Sequence, residues 1–132
     1  MSERRRTKPI TPITEEELEA MGLTREGRRF FTASEGDVIE FSRLNFKHEV
    51  LARYATDGMV AVLTMDEWRD PKASGAKKAT HYSVRVADCQ GAQSWGGLER
   101  EIAERLFKTA VDGGIEAVER LRRKLVWSNW RE

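Results

Sequence analysis

One cysteine, two histidines and three prolines are all that this 132-residue chain holds of the residues that staple, ligate metals or break regular structure. Cys89 has no partner for an internal disulfide, so a disulfide-built secreted domain is excluded. A structural zinc site would need Cys89, His48 and His81 together with a carboxylate, and no pair of them has the CxxC or HxxxH spacing; no metal and no cofactor is expected. A thiol enzyme would need Cys89 beside a histidine, whereas a cysteine directly after an apolar strand reads as a small buried hydrophobe. Long apolar runs are missing too. The longest, 59–63, is far too short for a bilayer, and the charged N-terminus shows no apolar leader, so a soluble protein of the reducing cytoplasm is expected. No charge of one sign dominates: 23 basic residues against 22 acidic leave a formal net charge of +1. Long-range attraction to nucleic acid or membrane is therefore weak, and any such binding must come from local patches. No glycine motif cradles a phosphate, because 91–97 lacks both the Walker lysine and the GxGxxG spacing, and the helix after it opens Leu98-Glu99-Arg100-Glu101, with acids where an anion would sit.

What is present is a long helical period from 97 to 130. Leu98, Ile102, Leu106, Ala110, Ile115, Val118, Leu121 and Leu125 recur at three- to five-residue steps and form one apolar stripe that something must cover. Asp112-Gly113-Gly114 interrupts it; two interior glycines cost on the order of 2 kcal/mol relative to alanine, so helices over 97–112 and 115–127 are expected. Glu101 with Arg105 and Glu104 with Lys108 form i,i+4 pairs that mark the solvent side.

The preceding chain reads mainly as short strands. Residues 1–12 carry Arg4, Arg5, Arg6 and Lys8 against Glu3 and read as a mobile basic arm before a single domain over 13–132. A short helix opens on a capping box of Thr14 and Glu17, with Ile13 and Leu18 as a hydrophobic staple, and ends near Met21 with Gly22 after it. Strands follow over 28–33 and 37–42. Segment 46–55 fits a strand and, almost as cleanly, a helix; Asp57-Gly58, a strong hairpin signal before the strand 59–64, favours the strand. Thr64 and Glu67 offer a second capping box for a brief turn holding Trp68, 72–79 is a small, basic loop, 81–87 an alternating strand, and 90–97 a glycine-rich connection. The expected fold is α+β: an antiparallel sheet of about five strands, of a kind that can curl into a small barrel, packed against a C-terminal helical hairpin.

Three basic patches remain as candidates for binding: Arg4, Arg5 and Arg6; Lys72, Lys77 and Lys78; and Arg120, Arg123 and Lys124. Trp95, Trp127 and Trp130 lie near them in sequence, and arginine beside exposed aromatic rings suits single strands or splayed bases. Arg123 and Trp127 are one helical turn apart, at about 160° from the apolar stripe. Against this, neighbouring glutamates can neutralise the helical charges and the tryptophans can close the core. No catalytic residues are assigned. The sequence favours a small non-enzymatic binding protein for nucleic acid or a nucleoprotein; the alternatives are a protein-interaction module, such as an inhibitor or adaptor of a phage or other mobile element anchoring a protein partner or a homodimer, and a small enzyme.

Overall fold

A computed structural model describes residues 13–40, 46–68 and 80–130, with the backbone alone at 46, 68 and 125–130. In chain order the elements are α1 (Glu15–Ala20), α2 (Arg25–Thr32), β1 (Val38–Glu40), β2 (Phe46–Thr56), β3 (Met59–Trp68), β4 (Thr80–Asp88), β5 (Gly91–Leu98) and α3 (Arg100–Trp130). The strands form one antiparallel meander in the order β1-β2-β3-β4-β5, the α+β architecture expected. The sheet is open, with β1 and β5 at its edges, so the barrel does not form.

Both faces of the sheet are covered. On one side α3 lays Ala103, Leu106, Ala110, Ile115 and Val118 on Ala61, Leu63, Val84, Val86 and Trp95. On the other, Leu18 of α1 and Phe30 and Phe31 of α2 pack with Ile39, Val50, Val60, Val62 and Ala87. Two-sided burial is why the first half of β3, Met59 to Leu63, reads as a continuous apolar run. It also requires a second helical layer, in which α2 stands where the sequence predicts a strand over 28–33. That segment is helical because Thr24 caps it, its side-chain oxygen accepting from Gly27 N at 3.1 Å, and because Phe30 and Phe31 turn together toward the sheet.

The capping box and staple of α1 are formed as expected. Glu17 N donates to Thr14 Oγ1 at 3.1 Å, Thr14 N donates to Glu17 Oε1 at 2.8 Å, and Leu18 is buried beside Ile13. Segment 46–55 is a strand, joined to β3 through Asp57-Gly58, where Gly58 takes a φ of 74°. A bulge between Val50 and Ala52 changes which face the strand presents. His48 and Val50 pack with the N-terminal helices and Leu51 and Ala52 with α3, so the strand keeps no single face along its length.

Two further expectations are corrected. The turn proposed at Thr64–Glu67 is instead the continuation of β3 to Trp68, because each residue from 64 to 67 pairs with β4 and the Thr64 hydroxyl turns to Asp66 rather than to a helix start. The connection at 90–97 is β5: pairing with β4 satisfies its backbone despite the glycines, and alternation puts Trp95 opposite Val84 under α3. The break expected at the glycine pair is present, with Gly114 at φ 70°, ψ −159° between two helical segments that follow directly on each other. On the first segment Glu101, Glu104, Arg105 and Lys108 are exposed as expected, and the side-chain pair formed is Arg100 Nε with Glu104 Oε2 at 3.0 Å.

Candidate functional site

Three neighbouring strands bring together a row of polar side chains that sequence spacing does not reveal. On the face toward α2, the Asp66 carboxylate of β3 accepts from His48 Nδ1 of β2 at 2.7 Å and from the Thr64 hydroxyl at 2.9 Å, while its second oxygen accepts from the Ser83 hydroxyl of β4. Arg85, two residues along β4, donates to Thr64 Oγ1 at 3.0 Å and lies over the Phe30 ring, 3.7 Å from its centroid. The same ring meets His48 edge-on at 5.1 Å.

The order of these contacts decides what the row can do. A serine nucleophile needs an imidazole between its hydroxyl and the orienting carboxylate. Here the carboxylate lies between serine and histidine, and Ser83 is buried. The row therefore fixes a buried carboxylate and does not activate a nucleophile. Burial is the largest single influence on Asp66 and pushes its pKa up; the hydrogen bonds from His48 and Ser83, with the charges of His48 and Arg85, outweigh it and hold the carboxyl below its ordinary value. For Arg85 burial dominates and lowers the pKa, with the Asp66 charge opposing it.

Among the described residues no group of three or more His, Cys, Asp or Glu side chains is placed to hold a metal ion. Cys89 is exposed in the turn between β4 and β5, not buried, because the polypeptide reverses there around Asp88, whose Oδ1 accepts from Gln90 N at 2.8 Å. No helix among the described residues is long and apolar enough to cross a membrane.

The residues expected to bind a partner are distributed unevenly. Arg4, Arg5, Arg6, Lys72, Lys77 and Lys78 lie outside the described residues. Trp95 is corrected: it is 4% exposed, and its side chain fills the core between β4 and α3, so it presents no ring to a base. Arg120, Arg123 and Lys124, with Arg122 beside them, are all exposed on the second segment of α3. Among the described residues none of the four is ion-paired with a carboxylate. Nearby Glu119 is instead held by Gln93 Nε2 of β5 at 3.1 Å. The backbone at Trp127 and Trp130 continues the helix that carries this cluster.

Sequence reasoning missed a further basic element, α2, with Arg25, Arg28 and Arg29. Two of these are committed to the fold, Arg28 donating to Leu23 O at 2.9 Å and Arg29 to Glu40 O at 3.4 Å. Thr24 as N-cap with Glu26 in the first turn could have signalled that helix. Compared with protein-family models, curated proteins and solved structures, the chain matches none of them.

Proposed function

We propose that this chain is a small non-enzymatic binding protein that docks on nucleic acid or a nucleoprotein through the basic second segment of α3. The observation that carries this reading is the block Arg120, Arg122, Arg123 and Lys124, exposed and without a described acidic partner. In a chain of net charge +1 such a block is a local positive field on an otherwise balanced surface. Within it Arg120 and Arg123 stand on the side of α3 away from Val118 and Leu121, so a phosphate backbone could reach them without disturbing the core. A cytoplasmic location belongs to the same reading.

The test is a titration of the full chain with a labelled single-stranded RNA and a labelled DNA duplex over a range of salt. Phosphate neutralisation predicts a linear fall of log affinity with log salt, with a slope of roughly 0.7 per contact for a single strand and roughly 0.9 for a duplex. No binding to either at low salt would remove the proposal.

A second reading, the protein-interaction module of a mobile element, is supported by edge strand β5. Gly91–Leu98 carries no charged residue and no proline, the usual guards of a sheet edge. A partner strand added there would bind with little dependence on salt.

A further inference from the structure

Arg85 is a half-buried cation with no carboxylate in ion-pair contact among the described residues. An arginine offers five N–H donors in a planar fork, and here Thr64 Oγ1 is the described acceptor for one of them. The Phe30 ring and the charge of Asp66 offset part of the cost of burying the cation, and its remaining donors can still take an anion.

The same side chain forms part of the wall of an open hollow of about 210 Å³ between α2 and the outer strands. Leu23, Gly27 and Phe31 line it from the helical layer, and Ala92, Gln93 and Ser94 from β5. No acidic residue lines it. Ser94 is the direct cross-strand partner of Arg85, so its hydroxyl stands on the same face of the sheet. The apolar walls lower the local dielectric and strengthen the pull of the guanidinium on a negative group.

We propose that this hollow is an oxyanion-binding site, in which Arg85 holds the carboxylate or phosphate group of a small ligand through charge-assisted hydrogen bonds and Ser94 adds a hydroxyl donor. The planar fork of arginine matches both groups bidentately. The hollow opens on the α2 side of the sheet, whereas the basic surface assigned to nucleic acid is on α3, with Gln93, which also holds Glu119, between them.

The test follows the ¹⁵N resonances of the full chain during titration with inorganic phosphate and, separately, with acetate, at constant ionic strength. Saturable millimolar shifts are expected at the Arg85 Nε–H and at the Ala92 and Ser94 amides, and the tighter probe identifies the preferred oxyanion. Arg85→Gln should weaken binding by roughly tenfold or more. Because that variant also disturbs the Thr64 and Asp66 contacts, Ser94→Asp is the second arm: it changes an exposed residue and places a competing carboxylate opposite an intact Arg85. It too should bind the probes at least roughly tenfold more weakly. The proposal is overturned if the folded wild-type chain gives no saturable response to either probe, or if Ser94→Asp binds them as tightly as wild type.

Discussion

Asp88, the last residue of β4, accepts a hydrogen bond through Oδ2 from the backbone N–H of Ile115 at 3.0 Å, across 27 positions of sequence. This contact caps the second segment of α3 where the helix breaks, and ties the segment bearing the basic cluster to the end of β4. Gly114 makes it possible. Its φ of 70° with ψ −159° is a region reserved almost entirely for glycine, and a Cβ there would lie 2.6 Å from Asp88 Oδ2. Asp88→Ala should therefore cost about 1–3 kcal/mol by leaving a buried N–H without its acceptor. Gly114→Ala should cost at least as much, through backbone strain and the lost contact together. Because both act on one contact, their costs should not add in the double variant, which urea denaturation of wild type and the three variants checks.

Thr24 tests the helix that replaces the expected strand. Thr24→Ala removes the acceptor for Gly27 N and should destabilise by about 1 kcal/mol. At a strand end or in a loop the change would be close to neutral. Denaturant midpoints at constant slope decide between the two.

Trp95 separates a core role from a surface role. With its side chain 4% exposed beneath α3, Trp95→Ala should cost about 3–5 kcal/mol, whereas truncating an exposed ring would leave the melting temperature nearly unchanged. Thermal melting reads the difference directly.

Acid should weaken the fold partly through Asp66. Its folded pKa lies below the ordinary 3.8, so its contribution is complete above that value and is lost as the pH falls through the lower, folded one. Asp66→Asn should cost about 2 kcal/mol near pH 6, through weakened hydrogen bonds to His48, Thr64 and Ser83. The stability gap between wild type and Asp66→Asn should then persist down to about pH 4 and narrow only below it. A gap that closes already above about pH 4 would show that Asp66 is not held in its ionised form.

Local signals in the sequence carried far in this chain. The Thr14–Glu17 capping box, the Asp57-Gly58 hairpin and the interruption at Asp112-Gly113-Gly114 each depend on neighbours within a few residues, and each is where it was expected. Elements whose stability comes from distant pairing were harder to read. Strand β5 has three glycines and weak alternation, and it is a strand because β4 supplies hydrogen-bond partners along its length. Helix α2 was obscured because Phe30 and Phe31 are adjacent and suit a strand or a helix equally until the second face of the sheet is seen to need cover. The Asp66 row was not legible, because cross-strand register and the bulge at Val50/Ala52 decide which side chains of β2, β3 and β4 share a face. The exposure of Arg120 and Arg123 needed only helical periodicity and the position of the apolar stripe, so it could be anticipated.

The most direct measurement of the proposed function compares the wild-type chain with the variant carrying Arg120→Gln, Arg122→Gln, Arg123→Gln and Lys124→Gln, titrating labelled single-stranded RNA at several salt concentrations. These side chains are exposed and outside the core, so the variant should melt within a few degrees of wild type. Its affinity at low salt should fall by an order of magnitude or more, and its salt slope should be shallower by roughly 0.7 for each phosphate contact removed. Equal affinity and equal slope for the two proteins would contradict the assignment of the α3 surface to nucleic acid.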